Sequence, residues 1–185
     1  DPKQALYAID ELARQGDYRE AHAVLEQTLA KDPAADLQRV RMSLMLAAGQ
    51  NALAQKTYAR TADDPAAKDL DLYLAARLLS PTERLPFLEA ALRRYPESPW
   101  LSWLYGRTLD RSGNSAGATA AYAIAANTDN PVAGYAVLGE VTALLHLRRY
   151  KEAFSIGEAY LRDPQQVDSA VSLANLATVT SSPMV

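Results

Sequence analysis

Apolar positions recur at three- and four-residue spacing through most of the chain, and proline and glycine cut this helical pattern into short segments. Six of the prolines fall at Pro2, Pro33, Pro65, Pro96, Pro131 and Pro164, at intervals of 31, 32, 31, 35 and 33 residues. Recurrence at this period points to stacked supersecondary units. Pro33, Pro96 and Pro164 follow segments that read as helix ends: Ala30-Lys31-Asp32, Arg93-Arg94-Tyr95 and Leu161-Arg162-Asp163. Proline has no amide donor, so it stops one helix and turns the chain into the next. Between prolines, Gly16-Asp17, Gly49-Gln50-Asn51 and Gly113-Asn114 each close an apolar-periodic stretch, where a left-handed helix end favours glycine. At Arg148-Arg149 no glycine appears, yet Tyr150-Lys151-Glu152-Ala153 restarts the pattern.

Each period therefore holds two helices of three to four turns joined by a tight turn. The first helices are predicted near 3–15, 35–48, 68–79, 99–112 and 132–147, and their partners near 18–31, 51–62, 82–94, 115–127 and 150–162. A lone helix is predicted near 166–179. No stretch alternates apolar and polar with β-branched enrichment, so no strand is expected. The class is all-α: a single array over 1–185, with units at about 1–33, 34–65, 66–96, 97–131 and 132–164.

Several segments resemble the tetratricopeptide repeat family. Gln15-Gly16-Asp17-Tyr18-Arg19-Glu20-Ala21 is similar to that family's turn and second-helix start, and Leu29-Ala30-Lys31-Asp32-Pro33 to its end. Tyr150-Lys151-Glu152-Ala153 and Leu161-Arg162-Asp163-Pro164 repeat both. Gly106 stands at the family's small mid-helix position, Ala118, Tyr122 and Ala125 at its alanine, aromatic and alanine positions, and Tyr135, Leu138 and Gly139 resemble the aromatic–Leu–Gly triplet of a first helix. Small residues let two helices approach closely while large ones fill the gaps between turns. The resemblance implies a right-handed superhelical solenoid of about five hairpins plus one C-terminal helix. Its concave groove would be lined by the first helix of each unit.

The chain departs from the pattern in three places. The third unit has no turn glycine, and Ser80-Pro81-Thr82-Glu83 reads instead as a capping box with proline in the first turn. Pro86 then implies a kink or a late start for that helix. The second unit has Arg41-Met42 where Leu-Gly would stand, and the fifth carries two extra residues between Gly139 and Ala153. Asp1-Pro2 looks like the end of a preceding unit. The last helix, with Val171, Leu173, Leu176 and Val179, has little polar face for a cap, which suggests a slice of a longer array.

Composition narrows the chemistry. The 185 residues are 49% apolar and 22% charged, too apolar for disorder. The formal charge of −3 argues against a nucleic-acid binder, and no apolar run is long enough to span a membrane. There is no cysteine, which removes disulfides, thiolate zinc sites and cysteine nucleophiles together and suits either a periplasm or a cytoplasm. The two histidines, His22 and His146, stand far apart in the repeat frame, so no metal site is expected. Phosphate loops, nucleophile elbows and HExxH are absent. Asp63-Asp64 and Asp69/Asp71 flank turns, where Asp caps helices. No catalytic residue, metal or cofactor is expected.

On the first helix of the fourth unit, Leu101, Leu104, Tyr105 and Leu109 form the packed stripe. That leaves Trp100, Trp103, Arg107 and Arg111 on a neighbouring stripe, at i, i+3, i+7 and i+11. The same register selects Tyr73 and Arg77, Arg39 and Ser43, Asp10 and Arg14, and Glu140. Arginine forks bind carboxylates and phosphates, and aromatic faces stack on peptides or sugar rings. Alternatively the tryptophans are core and the arginines a solvated face. The expected partner-binding set is Arg39, Tyr73, Arg77, Trp100, Trp103, Arg107, Arg111 and Glu140. The expected function is a non-catalytic scaffold that binds a protein or peptide within a bacterial assembly. The Ala- and Leu-rich, cysteine-free, divergent repeats resemble periplasmic scaffolds of exopolysaccharide export, and a carbohydrate-binding groove is the alternative. Single-stranded RNA reading by pentatricopeptide-like repeats is disfavoured by the acidic balance.

Overall fold

The computed structural model describes residues 2–31, 35–58, 64–127, 130 and 132–162. The expected helix at 166–179 lies outside them. Among the described residues the order is α1 (Pro2–Gln15), α2 (Tyr18–Leu29), α3 (Ala35–Ala47), α4 (Asn51–Tyr58), α5 (Asp69–Leu78), α6 (Pro81–Arg94), α7 (Pro99–Arg111), α8 (Ser115–Ala126), α9 (Ala133–His146) and α10 (Tyr150–Arg162), with no strand. The fold is all-α and tetratricopeptide-like. The chain divides into two compact units, Asp1–Leu78 and Leu79–Val185, and the division falls between the two helices expected to form the third hairpin.

In the first unit α1 packs on α2, α2 on α3, α3 on α4 and α4 on α5. Its core gathers Ile9, Ala21, Leu25, Leu37 and Leu44, with Leu12 and Val40 at its margin. Ala21 and Leu25 stand one turn apart on α2, so a single stripe of that helix is buried against both neighbours. Arg41, which stands where the repeat pattern calls for leucine, pairs with Glu26 across α2 and α3 at 2.7 Å. The following Met42 is fully buried.

In the second unit α7 packs on α6 and α8, and α9 on α8 and α10. The core is built from small residues around one ring: Ala118, Ala125, Ala136 and Ala143 surround Tyr122 together with Leu109. Gly106 of α7 and Gly139 of α9 both face that ring. A Cβ at Gly106 would lie 2.8 Å from Tyr122 Cδ1, and one at Gly139 would lie 2.6 Å from Cζ. The small mid-helix glycine thus seats the Tyr122 ring, and the fully buried Ala118 belongs to the same cluster.

Four hairpin turns share one hydrogen-bond pattern. The Asp17, Gln50, Asn114 and Arg149 amides donate back to the carbonyls of Leu12, Met45, Leu109 and Leu144 at 2.8–2.9 Å. This six-to-one bond requires a left-handed residue just before the donor. Gly16, Gly49 and Gly113 supply it at φ 84, 70 and 85°, and Arg148 at φ 58°. The turn without glycine therefore adopts the same geometry with a residue that tolerates it poorly. The α5–α6 junction uses the other device. Ser80 Oγ accepts from the Glu83 amide at 3.4 Å, and Glu83 Oε2 accepts from the Ser80 amide at 3.2 Å. This capping box starts α6 at Pro81, so the late start is ruled out and Pro86 lies inside the helix. There it removes one intrahelical donor.

The turns make opposite-signed predictions. An alanine Cβ at Gly113 would meet nothing within 4 Å, so only backbone strain acts there. Gly113→Ala should cost about 1–2 kcal/mol, whereas Arg148→Gly should add up to about 1 kcal/mol. Urea denaturation of both variants checks the signs, and two shifts in the same direction would refute the turn geometry. A second prediction concerns the ring. Gly139→Ala should destabilise by about 1–3 kcal/mol, because the Tyr122 ring cannot move aside without displacing Gly106 on its other flank; thermal unfolding with near-ultraviolet circular dichroism reads it.

Candidate functional site

α7 carries the densest part of the expected stripe. Ser98 caps it, its Oγ accepting from the Leu101 amide at 3.3 Å, and Pro99 opens the first turn. Leu101, Leu104 and Leu109 are buried, as the packed stripe requires. On the neighbouring stripe Trp103 is half-buried and meets Tyr135 of α9, with ring centroids 6.1 Å apart and planes tilted by 51°. The Arg107 guanidinium lies over the Trp103 ring, 4.9 Å from its centroid. Arg111, one turn further on, is exposed and forms no ion pair or hydrogen bond among the described residues. These residues form a cationic ridge with an aromatic base.

The remaining expected residues are distributed differently. Trp100 is 7% exposed and Tyr73 1%, so both indole and phenol are core and offer no face to a partner. Helical spacing alone could not separate Trp100 from Trp103, since both fall on the same side of one helix and only the packing neighbours differ. Arg77 in the first unit lies over Tyr73 at 5.8 Å and donates to Ser43 Oγ at 3.2 Å. Arg39 on α3 is half-buried. Asp10 and Arg14 of α1 pair with each other at 3.1 Å on an exposed face. Glu140 of α9 is only 9% exposed and has no hydrogen-bond or ion-pair partner among the described residues. Desolvation raises its carboxyl above the ordinary carboxylate range. Tyr135 was not in the expected binding set, because its part depends on α7 and α9 lying side by side.

The electrostatics of α7 converge on the core ring beneath it. Burial pushes the Tyr122 hydroxyl up to about 12, Asp110 adds to the shift, and Arg107 and Arg111 oppose it. Asp110 also accepts from Ser115 Oγ at 2.9 Å and faces His146 Nδ1 at 3.4 Å. A hydrolytic relay needs the histidine between serine and carboxylate. Here the carboxylate stands between the other two, so this cluster ties α7, α8 and α9 together and does not activate Ser115. His22 lies 3.7 Å from Glu26 on the same helix. Among the described residues no group of His, Asp or Glu could hold a metal ion, and no helix is long and apolar enough to cross a membrane.

No family model and no curated protein matches the chain. Among solved structures it is similar to one described as MamA AMB-1 P212121, at 18% identity over 85% of this chain and 90% of that one, with a TM-score of 0.47. The tetratricopeptide-like description rests on the turns and helix contacts above.

Glu140 yields a pH prediction. A carboxyl whose folded pKa is raised contributes fully below the ordinary value of about 4.3, and the contribution is lost as pH rises through the raised value. Above the raised value the folded protein therefore carries an unfavourable buried charge. Glu140→Gln should raise the melting temperature at pH 7, with the gain shrinking toward pH 4. A gain independent of pH would show that the charge is not its cause.

Proposed function

We propose that this protein is a non-catalytic scaffold whose second unit binds a protein segment on the ridge formed by Trp103, Tyr135, Arg107 and Arg111. The observation that carries the reading is the exposed Arg111, unpaired among the described residues, beside an Arg107 held over a half-buried tryptophan. An aromatic base with positioned guanidinium forks suits a partner that presents a carboxylate next to an apolar side chain. A carbohydrate groove needs an open aromatic face for the sugar ring, and Arg107 lies over that of Trp103. This favours protein over polysaccharide. The excess of acidic residues speaks against nucleic acid. The five repeat units form one array in this reading. A periplasmic setting in a bacterial export assembly rests on the cysteine-free, divergent character of the repeats.

The test is a peptide panel of matched acidic and neutral sequences presented to the full chain, alongside an oligosaccharide panel. Acidic peptides should be retained. Replacing Arg107 and Arg111 together by alanine should weaken their binding about 10-fold or more. The same change should alter stability by less than about 1 kcal/mol. Retention of oligosaccharides with no response to the arginine changes would overturn the reading.

A further inference from the structure

Tyr150, Phe154, Gly157 and Leu161 stand at i, i+4, i+7 and i+11 on α10, the spacing of a helix that packs lengthwise against another helix. Packing within the chain does not use this stripe. Ala153, the buried residue of α10, lies to one side of it, while Tyr150, Phe154 and Leu161 are 60%, 70% and 63% exposed. Among the described residues no other helix exposes more than one large hydrophobic side chain. A contiguous apolar face of this kind marks an interaction surface.

Gly157 opens a notch in the stripe. A Cβ there would meet only Val141 at 3.9 Å, and Phe154, Leu161 and the Glu158–Arg162 ion pair, at 2.6 Å, border an open cleft. The shape that fits this stripe is the stripe itself, reversed. In a two-fold pair every contact occurs twice with the roles exchanged. With the two-fold axis between Ser155 and Ile156, Phe154 of one copy enters the Gly157 notch of the other, and Tyr150 stands against the partner's Leu161. All four positions then have a mate. A parallel pair would set Phe154 on Phe154 and Gly157 on Gly157, bulk against bulk and gap against gap.

The flanking charges agree with the reversed register. Lys151 and Glu158 border the stripe on the side away from Ala153; Lys151 is exposed, and the Glu158 side chain is 41% exposed. About the same two-fold axis, Lys151 lies two residues, about 3 Å of helix rise, from the level of the partner's Glu158. The symmetry repeats this pair at the other end, so two opposite-charge contacts flank the apolar seam. Charges at such flanking positions decide partner and orientation. We propose that α10 is a self-association surface: two copies of this chain pair through antiparallel α10 helices, each Phe154 seated in the partner's Gly157 notch.

Sedimentation velocity of the full chain, from low to several hundred micromolar concentration, should show a monomer–dimer equilibrium. Phe154→Asp should weaken the dimer about 10-fold or more while circular dichroism stays unchanged, since the side chain is exposed in the monomer. Lys151→Glu and Glu158→Lys should each weaken it by setting like charges together. An equimolar mixture of these two variants should regain dimers, because they present opposite charges to one another. A chain that stays monomeric throughout would overturn the proposal in favour of a face covered in some other way. A dimer indifferent to Phe154→Asp would put the interface elsewhere and overturn it too. Loss of the dimer in both charge variants without recovery on mixing would refute the antiparallel register.

Discussion

The second unit depends on one ring laid between two glycines. Tyr122 of α8 spans the gap to α7 at Gly106 and to α9 at Gly139, and neither position has room for a methyl group. Burying a tyrosine ring removes on the order of 150–200 Å² from water, a stabilisation of about 4–5 kcal/mol at the usual area coefficient. The gain is available only because the flanking residues are glycines and alanines that let three helices close on the ring. The same closeness sets the chemistry above it. α7 is held so near α8 that Asp110, Arg107 and Arg111 all act on the Tyr122 hydroxyl. The cationic ridge and the core are thus two faces of one helix pinned by one side chain.

The repeats diverge in sequence while their turns keep one geometry. Four turns place an amide donor on the carbonyl five residues earlier. Three meet the left-handed requirement with glycine and one with Arg148. A left-handed arginine costs about 1–2 kcal/mol, and the turn keeps its geometry without the residue that favours it. At the α5–α6 junction the turn is replaced by a capping box, and α6 begins where Ser80 ends it. At that junction a proline and a cap carry the helix boundary in place of glycine.

Two arginine–aromatic pairs occur at i, i+4 spacing, Arg77 over Tyr73 and Arg107 over Trp103. They differ in what lies around them. Tyr73 is enclosed and Arg77 is engaged by Ser43, which makes that pair part of the packing of the first unit. Trp103 is half-buried, and beyond Arg107 the helix continues to an exposed Arg111. In the first unit the polar chemistry is internal: Arg41 pairs with Glu26, and it opposes the rise that burial imposes on the Tyr58 hydroxyl. A charged residue at a position that the repeat pattern reserves for leucine is accommodated because α2 offers it a carboxylate.

The helix boundaries were legible in the sequence because local chemistry determines them. Proline at 31–35-residue intervals, glycine in the left-handed turns and the Ser80–Glu83 box act within a few residues of where they stand. The packed stripe of Leu101, Leu104 and Leu109 was legible for the same reason, since one helix's period defines it. Tertiary structure alone decided which of Trp100 and Trp103 reaches the surface, that Tyr135 joins Trp103, that Gly106 faces the Tyr122 ring and that Glu140 is buried. These outcomes depend on how far one helix stands from the next. That distance is fixed by side chains distant in sequence, and no pattern along a single helix records it.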